Sequence, residues 1–139
     1  MATIDDVRAL ALALPGVEER IGGHTGEPAW RCNGGQVAWM RGPRKTDLAQ
    51  LAELGRAWPE GPVLAVQTET ATLAVELIAA DPDVFFTIPH FTGYPAVLLR
   101  LDAIARDHLG EVIADAWLLR APKAVARAWL DERGLSCGK

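Results

Sequence analysis

His90 and Tyr94 stand four residues apart in a stretch rich in unusual chemistry, Val84-Phe85-Phe86-Thr87-Ile88-Pro89-His90-Phe91-Thr92-Gly93-Tyr94-Pro95. All 3 phenylalanines and the only tyrosine of the 139-residue chain lie there. An imidazole can donate or accept a hydrogen bond, and a phenol can do the same. One reading makes this loop the wall of a pocket for a small aromatic ligand, with Arg100 and Trp117 as further neighbours. The other makes it a rigid corner. Prolines fix φ, Gly93 supplies a conformation that other residues resist, and aromatic rings plug the sheet end.

A second candidate is the basic turn Arg41-Gly42-Pro43-Arg44-Lys45, which leads into a helical pattern. Unpaired N–H groups and the positive end of a helix dipole favour an anion at such a point. With Arg31 on the preceding hairpin, Arg41, Arg44 and Lys45 could form a phosphate-binding surface. A solvated turn is the alternative, and Asp47, just after Thr46, weighs against strong phosphate binding.

Other chemistries find little support. The formal charge of −4 suits general electrostatic attachment to DNA poorly. The only serine is Ser136, in a short tail after the last helical pattern, where no rigid scaffold can position a nucleophile. His24, His90 and His108 lack metal-ligand spacing, so neither metal nor cofactor is expected. Cys32 and Cys137 do not form a Cys-x-x-Cys pair, and both are expected as reduced thiols. Glu18 with Glu19, Asp81 with Asp83, and Glu111 with Asp115 fit exposed faces as well as acid–base pairs. The acidic start Ile4-Asp5-Asp6 is unlike a signal peptide, and no apolar run is long enough to span a bilayer. A cytoplasmic, monomeric protein that is not an enzyme is the expectation.

The elements that must position these residues follow from periodicity. Thr3 and Asp6 have capping-box spacing, and Ile4, Val7, Leu10, Ala11 and Leu14 recur as one helix face, stopped by Pro15-Gly16. Val17 to Ile21 reads as a strand. Asn33-Gly34 joins two strands in a tight hairpin, with Trp30 and Cys32 expected on one face and Val37 and Trp39 together on one face. Thr46 or Asp47 is expected to cap a second helix bearing Leu48, Leu51 and Ala52. Val63 to Val66 is a buried strand, Leu73 to Ile78 a helix, and Val84 to Ile88 and Ala96 to Leu101 two further strands. The second of these is nearly all apolar, so both its faces should be covered. Two helices carrying Leu109 to Trp117 and Val125 to Leu130 complete the chain. The expected fold is α+β, an antiparallel sheet covered by helices in two layers, with residues 1–134 as a single domain and 135–139 as a tail.

The stretch from Asp81 to Leu101 resembles the MmcQ/YjbR family. The resemblance extends to Asp115-Ala-Trp-Leu-Leu-Arg-Ala-Pro-Lys123, to Ile4-Asp-Asp-Val-Arg8 with Leu14-Pro15-Gly16, and to the Asn33-Gly34 hairpin. It implies a small two-layer domain similar to secretion-chaperone-like and frataxin-like folds, with no established enzymatic activity. It also implies a non-catalytic binding protein, with double-stranded DNA as the suggested partner through a double-wing-like surface.

Overall fold

Helix α1 (Ile4–Leu12) begins where the sequence places its cap. Thr3 Oγ1 accepts from Asp6 N at 3.2 Å, and Thr3 N donates to Asp6 Oδ2 at 3.0 Å. Each contact satisfies a backbone donor that a helix start leaves open or protects. The computed structural model describes residues 2–22 and 27–132. His24, Ser136, Cys137 and the proposed tail at 135–139 lie outside the described residues.

Strands β1 (Val17–Gly22), β2 (Glu27–Cys32), β3 (Gly35–Met40), β4 (Val63–Gln67), β5 (Phe85–Phe86) and β6 (Ala96–Arg100) form one antiparallel sheet in the order β1-β2-β3-β4-β6-β5. Helices α2 (Lys45–Glu53), α3 (Ala71–Ala80), α4 (Arg106–Leu118) and α5 (Lys123–Glu132) complete the main elements. The fold is α+β, as the element order implies. No helix among the described residues is long and apolar enough to cross a membrane.

Side-chain alternation on β4 and β6 divides the core between the two sheet faces. Leu64, Val66, Val97 and Leu99 join α1 and α4 in one buried cluster, against which residues of α3 and α5 also pack. Val63, Ala65, Ala96 and Leu98 join Leu51 of α2, Ile88 and Phe91 in a second. Strand β6 is thus covered on both faces, which explains its apolar sequence.

The β2–β3 hairpin turns at Asn33 (φ 53°) and Gly34 (φ 81°), the positive-φ pair a tight turn needs. The expected pairing of Val37 with Trp39 on one face is corrected. Trp30 pairs with Ala38 and Arg31 with Gln36, so Val37 is an extra residue in β3. This bulge lets Val37 and Ala38 both enter the helix-side cluster and turns Trp39 toward the other.

Two more boundaries differ from expectation. Strand β5 spans only Phe85–Phe86, not Val84 to Ile88. The chain leaves the sheet so that Ile88 can bury on the α2 side, and Pro89–Phe91 forms a 3-10 turn. Helix α2 is capped at Arg44, not at Thr46 or Asp47. Asp47 sits in the first turn, and its Oδ2 accepts from Arg44 N at 3.0 Å.

The Glu18-Glu19 pair is split by the pleat. Glu18 is exposed, 3.6 Å from Arg20. Glu19 lies opposite Trp30, and its Oε1 accepts from Arg8 Nε at 2.8 Å and Trp30 Nε1 at 2.9 Å. These two hydrogen bonds, that from Arg8 foremost, hold the Glu19 carboxyl below its ordinary pKa against a smaller opposing effect of burial. A depressed folded pKa stabilises the fold above the unfolded value of about 4.3, and this contribution disappears as pH falls through the folded pKa. Urea titrations should therefore show wild type losing more stability than Glu19→Gln as pH falls below about 4.3. Parallel pH profiles for the two proteins would contradict this role.

Candidate functional site

The two candidate segments meet on the α2 side of the sheet. Residues Gln36 and Trp39 of β3, Arg41 and Arg44 of the basic turn, and His90, Phe91 and Tyr94 surround a groove of about 260 Å³. They meet because α2 packs against the Pro89–Phe91 turn through the second core cluster, with Leu51, Ile88 and Phe91 at its centre. The bulge at Val37 supplies the third wall by bringing Trp39 to this face.

The base of the groove is a linked set of rings and charges. Tyr94 meets Phe91 edge-on, with centroids 5.5 Å apart, and His90 lies 6.1 Å from the same ring. The Arg41 guanidinium stands 5.8 Å from the Phe91 centroid. Its Nη1 donates to Gly42 O at 2.7 Å, and Nη2 forms an ion pair with Asp47 Oδ2 at 2.8 Å. Only 5% of the Arg41 side chain and 1% of that of Asp47 reach solvent. Arg41 is therefore a buried structural cation, and the expectation of a free phosphate contact there is corrected. Asp47 also takes the place at the α2 N-terminus that an anion would use.

Exposed chemistry remains at the rim. Arg44, Lys45 and His90 are exposed, and Tyr94 retains 44% of its accessible surface. Gln36 Oε1 is buried without a hydrogen-bond partner among the described residues, leaving an unsatisfied acceptor at the groove. Arg31 pairs with Gln36 across the hairpin but does not line the groove, and its Nη2 donates to Gly34 O at 3.0 Å.

Two expected neighbours belong elsewhere. Arg100 pairs with Val63 at the end of β6 farthest from the Pro89–Pro95 loop. Trp117 is fully buried on the other sheet face, donates from Nε1 to Pro15 O at 2.8 Å, and stands 5.2 Å from Trp129. The apolar periodicity of α4 already pointed to that burial, whereas proximity to His90 had no local signal. Gln36 had no signal in the sequence, and Trp39, a ring that could stack on a base or simply be buried on the hairpin, could not be assigned to this face because the bulge that places it is decided by strand pairing.

Cys32 offers no activated thiol. Its side chain is buried, Sγ faces Pro15 O at 3.8 Å, and burial pushes its pKa up. Among the described residues, no group of three or more His, Cys, Asp or Glu side chains could hold a metal ion.

No family model matches the chain. Solved structures give a counterpart for the fold, the Deinococcus radiodurans protein DR2400, a DUF419 domain. It superposes with a TM-score of 0.64 at 21% identity, over 97% of this chain and 90% of that one. Similar sequences include the uncharacterized proteins Rv2570 of Mycobacterium tuberculosis and Mb2600 of Mycobacterium bovis. Each is 40% identical over 134 residues, covering 96% of this chain and 100% of the relative. With that identity along the whole length of the relatives, the chain belongs to the family of mycobacterial Rv2570.

Proposed function

We propose that this chain is a non-catalytic binding protein of the MmcQ/YjbR type whose groove takes a small planar ligand bearing an anionic group. The observation that carries this reading is the convergence of Trp39, Phe91 and Tyr94 with Arg44 and His90 around one cavity. Aromatic walls suit a flat apolar body, and a few polar groups fix its orientation. Arg44 can pair with a carboxylate or phosphate in a forked geometry. The sequence motif at Asp81 to Leu101 supports the family assignment. Action in the cytoplasm as a monomer is part of the same proposal.

Duplex DNA, the partner implied by the family resemblance, is the rival. It would rely on Arg31, Arg44 and Lys45 alone, since Arg41 is committed to Asp47. Two exposed cations and the half-buried Arg31 on a chain of formal charge −4 offer a thin phosphate-binding surface.

Thermal unfolding with naphthoate or adenosine monophosphate tests the proposal. Ligand at about 100 times Kd adds about 2.7 kcal/mol to the folded state, which shifts Tm by several degrees. The shift should vanish in Tyr94→Ala and in Arg44→Glu, both at exposed positions where the fold tolerates change. An unmoved Tm with both ligands at millimolar concentration would count against the groove as their site.

A further inference from the structure

A second cleft opens on the helix-covered face of the sheet. Helix α3 packs on β5 and β6, whereas α4 packs on β3 and β4, and a space of about 270 Å³ remains between the two helices. Val66 and Val97 line it from the sheet, Leu73 and Leu77 from α3, and Val112 and Leu119 from the α4 side. It shares no lining residue with the groove on the other face. Leu73 and Leu119 are 40% and 39% exposed, so two large apolar side chains flank its opening partly in water.

The charge at this opening has one sign. Glu69 and Asp115 line the cleft, and no lysine, arginine or histidine does. Neither carboxylate enters an ion pair among the described residues. Helix α4 ends here, with Leu119 as its C-cap and no basic residue in its last turn, so its carbonyl end adds partial negative charge. The N-terminus of α3 is closed off, since Thr70 Oγ1 accepts from Leu73 N at 3.0 Å.

We infer that this cleft is a second binding site, for a small amphiphile with an apolar chain or ring and a cationic amine. The apolar part would cover Val66, Leu73, Leu77, Val97 and Val112, and the ammonium would lie between Glu69 and Asp115. Partial desolvation of this solvent-facing carboxyl, with the Glu111 carboxylate as a second cause, moves Asp115 above its ordinary pKa. A bound ammonium offsets that cost by pairing with the ionised form.

The test is a titration of labelled protein with octylamine, octanol and octanoate, below their aggregation limits, followed by backbone amide NMR. The expected result is saturable shifts at Gln67 to Leu77 and Val112 to Leu119, strongest for octylamine, weaker for octanol and weakest for octanoate. Asp115→Asn, an isosteric change at an exposed position, should weaken octylamine about tenfold and leave octanol unchanged. Leu73→Trp, which fills the cleft from its exposed wall, should abolish both. Octanoate binding as tightly as octylamine would overturn the proposed ligand class, as would an unchanged octylamine affinity in Asp115→Asn. Shifts that persist in Leu73→Trp, or none at all in wild type, would overturn the site itself. The groove around Tyr94 is read by different amides, so the two proposals stand or fall separately.

Discussion

Asp47→Ala is expected to lower stability by about 3–5 kcal/mol, because it strands the Arg41 guanidinium in the interior without its counter-ion. The pair is almost fully buried, and Phe91 covers the cation from one side. The same substitution removes the acceptor for Arg44 N at the start of α2. A loss of that size would take much of the 5–15 kcal/mol typical of a domain. Combining it with Arg41→Met should restore a large part of the loss, since a well-packed apolar residue can replace a buried ion pair. Urea unfolding followed by tryptophan fluorescence measures each variant. A loss below about 1 kcal/mol for Asp47→Ala would match a solvated surface pair and contradict the burial described here.

Trp117→Ala should cost about 3–5 kcal/mol, the range for removing a large aromatic side chain from a close-packed core. Trp117 is fully buried, meets the Trp129 ring at a tilt of 59° and ties α4 to the Pro15 carbonyl across 102 residues of sequence. Trp117→Phe separates the two contributions. It keeps much of the apolar volume and loses the indole N–H, and should cost about 0.5–1.5 kcal/mol, since the Pro15 carbonyl keeps its weak Cys32 Sγ contact at 3.8 Å. Equal losses in the two variants would mean that the hydrogen bond, not the packing, dominates. Ligand affinity in the Trp39–Tyr94 groove should be unchanged in Trp117→Phe, because the tryptophan lies on the opposite sheet face.

Features set by local chemistry were readable in the sequence. Thr3 and Asp6 are three residues apart and can only satisfy one another at a helix start. Asn33-Gly34 carries its turn in its own backbone preferences, and the apolar run Ala96 to Leu99 announces a strand buried on both faces. Features set by tertiary contact were not readable. The fate of Arg41 depends on Phe91, fifty positions away, and on the exact turn of α2 at which Asp47 falls. The facing of Trp39 depends on a bulge that pairing with β2 imposes. Arg100 and Trp117 were grouped with His90 by chemical type, but β6 carries Arg100 away from the loop and α4 lies across the sheet from it. The groove could be foreseen only as two separate halves, because neither the basic turn nor the aromatic loop encodes its approach to the other.

The measurement that bears most directly on the groove is an amide NMR titration of the labelled protein with naphthoate and, separately, with a short mixed-sequence DNA duplex. The account predicts naphthoate shifts concentrated at Trp39, Arg44, His90 and Tyr94, saturable and only weakly dependent on salt, with little response to the duplex. Silence toward naphthoate, together with duplex-induced shifts along Arg31 to Gly34 and at Lys45 that fade steeply with added salt, would contradict it and move the binding surface to the hairpin and basic turn.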